Sequence, residues 1–180
     1  KIKILLTGSG RASKGAIELL KLANIRQVSI NDYLSKKYNE PIFTNISAKE
    51  HIEKKEGKDI SKVKDYLLKT DIFIACHYWE PKFPKLFYPN QIDEFKKLKV
   101  IGDITCDING SVPTTIRSTT IAKPYYSIDI NTMNEINLNN KSIAVMAVDN
   151  LPSELPRDAS EEFGNSVISE VLPSLINKDD

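Results

Sequence analysis

The sequence predicts an α/β fold, a doubly wound and mostly parallel sheet with helices on both faces. Three observations carry this. Short apolar runs recur at Ile4-Leu5-Leu6 and at residues 71–76, 100–105 and 142–148, each the length of a strand buried on both faces. Each run stops abruptly in glycine or polar residues. Helical spacing follows the first run (Ala16, Ile17, Leu19, Leu20, Leu22), and a helix of the same kind closes the chain.

The organising stretch is residues 3–32. The run Ile4-Leu5-Leu6 breaks at Thr7-Gly8-Ser9-Gly10-Arg11, and a helix follows. Val28-Ser29-Ile30 reads as a second strand with Asp32 at its end. Strand, glycine turn, helix, strand and acid make the dinucleotide-binding βαβ unit of Rossmann-type folds. Gly8 lets the chain turn out of the strand. Gly10 lets backbone approach a pyrophosphate, and the helix beyond it, opening near Ser13, points free N–H groups and a positive dipole end at the phosphates. Asp32 follows Gly8 at about the 20-residue spacing of the ribose-binding acid. A carboxylate there accepts from a ribose diol and repels a 2′-phosphate, which favours NAD over NADP. Ser13 replaces the third glycine of G-x-G-x-x-G, with Gly15 and Ala16 just beyond, small enough for close helix–strand packing. An ordinary tight turn has the same glycines; the flanking strand, helix and acid are what make this a binding motif.

Composition narrows the function classes. The 180 residues carry 25 Lys and Arg against 24 Asp and Glu, net +1. No block of like charge suggests a nucleic-acid or membrane surface. No apolar run approaches the roughly 20 residues of a spanning helix. No signal peptide is visible. The expectation is one nucleotide-binding domain over 1–180 in a cytoplasmic, reducing compartment, with Cys76 and Cys106 free, although spacing leaves a pairing open. The first residue is Lys1, directly before a strand, and this reads as a piece of a longer protein.

The remaining elements follow in order. Residues 41–45 form a short third strand, and Ser47-Ala48-Lys49-Glu50 opens a short helix with a capping box. His51 on that polar helix reads as a surface histidine, and the charged residues 53–59 as an exposed turn. Ser61 caps a helix to Lys69 with Val63, Tyr66 and Leu67 facing inward. The strand at 71–76 ends in Cys76-His77-Tyr78, which should border a ligand beyond the carboxyl edge. Neither a partner carboxylate for His77 nor an activating neighbour for Cys76 is apparent. A proline-pinned loop spans 81–90, a helix 91–98, and a strand 100–105. The crossing segment 112–124 is threonine-rich and aperiodic, and residues 125–129 alternate like a strand. The last buried strand spans 142–148. Pro156 starts the closing helix, with Ala159, Phe163, Val167, Ile168, Val171 and Leu172 on its apolar face. The two cysteines and two histidines lack zinc spacing.

Two longer motifs then stand out. Asp149-Asn150-Leu151-Pro152-Ser153-Glu154-Leu155-Pro156-Arg157-Asp158-Ala159-Ser160-Glu161-Glu162-Phe163 fits D-x-L-P-x-x-L-P-x-x-A-[ST]-x-x-F and resembles the saccharopine dehydrogenase (L-lysine-forming) family. Asp103-Ile104-Thr105-Cys106-Asp107-Ile108-Asn109-Gly110-Ser111 resembles the D-x-[ST]-C-D-x-x-G-S stretch of the related lysine–ketoglutarate reductases. The wider group includes alanine dehydrogenase and proton-translocating transhydrogenase. The resemblance implies hydride transfer between a nicotinamide and an imine linking lysine with 2-oxoglutarate. It implies cofactor contacts at Gly8, Ser9, Gly10, Arg11, Asp32, Cys76, His77, Asp103, Ile104, Thr105, Val148, Asp149, Asn150 and Leu151. Asp149 is the candidate nearest the chemistry, and Arg117 a candidate for a substrate carboxylate. The family's lysine–histidine acid–base pair belongs to an N-terminal lobe outside this chain, which makes that lobe the implied partner, together with a small amino-acid substrate.

The resulting expectation is the NAD-binding domain of a saccharopine-type amino-acid dehydrogenase, inactive as an isolated piece, with an oligomer left open. The other readings are a non-catalytic NAD-binding regulatory module, an alanine-dehydrogenase-like enzyme with another amino acid, and a methyltransferase, which residues 112–124 and the D-x-L-P loop fit poorly.

Overall fold

A computed structural model describes residues 1–176. The chain forms two compact units, Lys1–Val148 and Asp149–Asp180.

In the first unit, ten strands lie at β1 Lys3–Thr7, β2 Arg26–Gln27, β3 Ile42–Ile46, β4 Ile52–Lys55, β5 Lys58–Ser61, β6 Ile72–Ala75, β7 Val100–Asp103, β8 Tyr126–Asp129, β9 Glu135–Ile136 and β10 Ser142–Met146. Eight of them make one sheet in the order β2-β3-β1-β6-β7-β10-β8-β9. The pairs from β2 through β10 are parallel, and β8 and β9 add antiparallel at the far edge. The expected mostly parallel α/β sheet is thus present. Its central strands are apolar on both faces because helices cover both. On one face Ile4, Leu6 and Phe43 pack against Ala16, Ile17 and Leu20 of helix α1, Arg11–Leu22. On the other, Leu5, Ile42, Ile46 and Phe73 pack with Tyr33 of α2, Ile30–Ser35, and with Val63, Tyr66 and Leu67 of α4, Val63–Leu67.

Three expectations need correction. The strand expected at 28–30 is two residues long and lies earlier, at Arg26–Gln27 on the sheet edge. Its place beside β1 is taken by β3, which pairs with β1 along its whole length, Lys3 with Ile42 through Thr7 with Ile46. Residues 30–35 are helical instead. Ser29 caps α2 by accepting from the Asp32 N–H at 3.2 Å, and a local cap of this kind outcompetes the weak β-propensity of Ser-Ile-Asn-Asp. The charged stretch 53–59 is a hairpin of β4 and β5, turned by Glu56 and Gly57 in left-handed conformations, φ 51° and 78°. The helix expected at 91–98 is a 3₁₀ segment, Pro89–Glu94. The capping box opening α3, Ala48–His51, is present: the Ser47 N–H donates to the Glu50 carboxylate at 2.6 Å.

The second unit opens with Asn150 in a left-handed conformation, φ 58°, whose carbonyl accepts the Ser153 N–H and hydroxyl at 3.0 and 2.8 Å. A 3₁₀ turn, Leu151–Glu154, leads into α5, Pro156–Ser166, which begins at the expected proline. A π-helical turn, Val167–Val171, joins it to α6, Leu172–Ile176.

Candidate nucleotide site at the carboxyl edge

The four adjacent strands β3, β1, β6 and β7 all point their carboxyl ends the same way, and the segments leaving them enclose a cavity of about 610 Å³. Residues 8–12 leave β1. Ala48, His51 and Ile52 follow β3, and Cys76 to Trp79, Phe83, Pro84 and Leu86 follow β6. Ile104 and Thr105 follow β7. A crevice beyond the carboxyl ends of parallel strands, where the strand order reverses, is where doubly wound folds hold ligands.

The glycine turn is built by close contact. Gly8 has φ 110°, and a Cβ on it would lie 2.4 Å from the Cys76 carbonyl oxygen. Only glycine lets β1 turn this close to the end of β6. The Gly8 N–H donates to the Ile46 carbonyl at 2.9 Å, and its own carbonyl accepts the Ser13 hydroxyl at 2.9 Å. Ser13 is fully buried, so the residue in place of the third glycine pins the turn to α1. Gly10 differs from Gly8. It caps α1 with ordinary extended backbone, φ −82° and ψ −168°, and nothing lies within 4 Å of where its Cβ would be. The first turn of α1 faces the cavity with its positive dipole end, and Arg11 is the one charged side chain among the described residues of the wall.

The β6 side is apolar and rigid. His77 is held at both ring nitrogens, Nδ1 2.8 Å from Thr7 Oγ1 and Nε2 2.8 Å from Ser111 Oγ. Burial pushes its pKa down to about 4, so the ring is neutral. Cys76 is a free thiol pushed up to about 11 by burial, with Asp103 adding to the effect. A protonated thiol and a fully engaged imidazole position the loop; neither is set up as nucleophile or base. The Trp79 indole N–H donates to the Pro84 carbonyl at 3.2 Å, tying the aromatic segment into a wall.

Of the residues expected at the site, Gly8, Ser9, Gly10, Arg11, Cys76, His77, Ile104 and Thr105 line this cavity. Asp103 does not. It is fully buried, accepting from the Thr105 N–H and hydroxyl at 3.1 and 2.7 Å and from the Thr115 hydroxyl at 2.5 Å. It ties the end of β7 to the threonine-rich segment, and burial raises its pKa against the pull of those donors. Val148 forms an isolated bridge with Thr119 and also lies off the cavity wall.

Asp32 also lies off this cavity wall. It rides on α2, paired with Lys36 at 3.0 Å. That helix is anchored at the amino end of the sheet, where the Lys3 ammonium donates to the Tyr33 carbonyl and the Tyr33 hydroxyl meets Thr70 at 2.8 Å. With β3 inserted beside β1, the strand preceding Asp32 no longer ends next to the glycine turn. Arg117 is likewise elsewhere, bidentate to Glu135 at 2.9 and 2.7 Å and stacked on Tyr126 at 4.4 Å. Asp149, Asn150 and Leu151 belong to the second unit.

Sequence reasoning missed His51. It is only 3% exposed and lines the cavity at the end of the strand beside β1. The signal was the capping box at Ser47, which marks a strand-to-helix junction like the one after β1. Among the described residues, no helix is long and apolar enough to cross a membrane, and no group of three or more His, Cys, Asp or Glu could hold a metal ion.

Comparison with known proteins gives a consistent set of matches. Residues 1–179 match the family described as alanine dehydrogenase/PNT, C-terminal domain. Alpha-aminoadipic semialdehyde synthase of Arabidopsis thaliana is 27% identical over 206 residues, covering 95% of this chain and 19% of that protein. Saccharopine dehydrogenase [NAD(+), L-lysine-forming] of Neurospora crassa is 28% identical over 181 residues, covering 98% of this chain and 41% of that protein. The mitochondrial alpha-aminoadipic semialdehyde synthase of Mus musculus is 25% identical over 217 residues, covering 98% and 23%. The chain therefore spans less than half the length of each of these relatives.

Proposed function

Because the chain belongs to the alanine dehydrogenase/PNT C-terminal domain family, we propose that the carboxyl-edge cavity seats a nicotinamide dinucleotide. We further propose that residues 1–180 form the nucleotide-binding lobe of an amino-acid dehydrogenase of saccharopine-forming or saccharopine-cleaving type. The observation that carries this is the wall at residues 8–12. There a glycine turn and the first turn of α1 meet a cavity of about 610 Å³, with open space beside Gly10 and the cation Arg11 next to it. These donors suit an anionic pyrophosphate.

In this reading the N–H groups opening α1 and Arg11 hold the phosphates. Cys76, His77 and Tyr78 shape one wall, and Ile104 and Thr105 border the half of the cleft beyond β7. Val148, Asp149, Asn150 and Leu151 are carried as cofactor contacts by the D-x-L-P motif alone. A bound nicotinamide supplies the hydride chemistry, while the protein supplies position and electrostatics. NAD rather than NADP is the expected cofactor. The acid–base pair is expected from the part of the relatives' length that this chain does not span.

The test is calorimetric titration with NADH and NADPH, followed by NADH oxidation assays with lysine and 2-oxoglutarate. Tighter NADH binding, with turnover by the full-length protein and none by residues 1–180 alone, is the expected outcome. Failure of NADH to bind would remove the reading. Turnover by residues 1–180 alone would place the acid–base groups within them.

A further inference from the structure

The cavity wall holds one side chain whose polar inventory the fold leaves incomplete. His51 ends α3, the short helix after β3, and lines the cavity. Its Nδ1 lies 3.2 Å from Ser61 Oγ on β5. Its Nε2 is buried and has no hydrogen-bond partner among the described residues. The same Ser61 oxygen accepts the Val63 N–H at 3.2 Å. The Ser61 hydroxyl keeps its proton and a second lone pair, so it can pair with Nδ1 in either tautomer of the ring. A buried ring nitrogen without a partner is rare in folded proteins and calls for an explanation. The Ser61 contact accounts for Nδ1 but not for Nε2.

The position supplies the reason. β3 lies beside β1 on the side away from β6. With a pyrophosphate at the first turn of α1, the nucleoside extending over the end of β3 is the adenosine half, whose ribose is read by the side chain following that strand. We propose that His51 recognises the adenosine ribose, its Nε2 hydrogen-bonding a ribose hydroxyl where an acidic side chain is the usual partner. This rests on the dinucleotide reading above. Glu50, the nearest acid in sequence, does not take that role: its Oε2 already accepts both the N–H and the hydroxyl of Ser47, at 2.6 and 2.7 Å. Burial also pushes the His51 pKa down to about 4, so the imidazole meets the ribose as a neutral ring.

The test uses the full-length protein, three ligands and three variants. The ligands are NADH and its two analogues lacking the 2′- or the 3′-hydroxyl of the adenosine ribose. The wild type should bind NADH about tenfold more tightly than at least one analogue, the size of one well-placed hydrogen bond. His51→Phe should bind NADH about tenfold more weakly, bind the analogues equally well, and keep or raise the melting temperature. His51→Gln, whose amide N–H reaches to a similar distance, should restore most of the discrimination. If His51→Phe binds NADH like the wild type, or keeps the discrimination while melting lower, the ring is structural and the proposal is overturned. If His51→Phe does not fold, the wild type decides alone, since equal affinity for NADH and both analogues overturns it. If NADH itself does not bind, the dinucleotide reading has failed. If NADH binds but the analogues are not distinguished, only the role of His51 has.

Discussion

Replacing Gly10 with aspartate separates the binding role of the glycine turn from its structural role. Gly10 caps α1 at φ −82° and ψ −168°, which any L-residue adopts, and nothing lies within 4 Å of the added Cβ. Aspartate is among the best N-cap residues, a few tenths of a kcal/mol better than glycine, and its charge at the helix N-terminus adds about 0.3–1 kcal/mol. Gly10→Asp should therefore keep or raise stability. Binding should respond in the opposite sense, because the carboxylate stands where a pyrophosphate would lie. One carboxylate–phosphate charge pair at about 4 Å costs roughly 1 kcal/mol in water and about 4 kcal/mol at an effective dielectric of 20. Two phosphates at a partly open cavity mouth then give about 2–4 kcal/mol, a loss of roughly 30- to 1000-fold in affinity. Raising the salt concentration should shrink the loss. The assay is NADH fluorescence titration at two ionic strengths beside thermal melting. Unchanged NADH affinity in a variant with unchanged or higher Tm would refute the placement of phosphates at this turn.

Other expectations follow from the same geometry. Gly8→Ala forces a side chain into φ 110° and against the Cys76 carbonyl, so it should lower stability by about 2–5 kcal/mol in denaturant titration. Asp32→Ala should leave NADH affinity and the NADH/NADPH ratio unchanged, since its carboxylate pairs with Lys36 on α2; a lost preference would return it to the site. His51 and His77 both have folded-state pKa values lowered from 6.5 to about 4. The fold disfavours their protonated forms, so the stability they contribute is present above pH 6.5 and lost as pH falls toward 4. Urea midpoints at pH 7.5 and 5.5 should show the drop, and His51→Phe should reduce it. In the full-length protein, Asp149→Asn should lower turnover more than it weakens NADH binding, with Tm unchanged; normal turnover would take Asp149 out of the active site.

Much of the fold was legible because it is encoded locally. The run Ile4-Leu5-Leu6, the turn at Gly8 and the periodicity of α1 all lie within one short segment, and the capping box at Ser47 spans four residues. Strand order is not local. Two stretches, 28–30 and 42–46, both competed for the place beside β1, and the choice depends on pairing energy along all of Lys3–Thr7. Reading the first as the neighbour puts Asp32 beside the glycine turn. The β4–β5 hairpin escaped notice because its residues are charged and mostly exposed, so no alternation of polar and apolar marks it. His51 looked exposed because Lys49, Glu50, Glu53 and Lys54 surround it in sequence; the hairpin that covers it is itself a tertiary feature. Arg117 sat in a segment without periodicity, and its engagement by Glu135 on β9 had no sequence signal.

The most direct measurement of the central claim is residue-resolved binding by NMR. Backbone amide shifts of the protein, followed through a titration with NADH, should move and saturate together at residues 8–12, 51–52, 76–79 and 104–105. Asp32 and Arg117 should stay still. Saturating shifts confined to other residues, or none at these four strand ends, would contradict the assignment of the carboxyl-edge cavity as the nucleotide site.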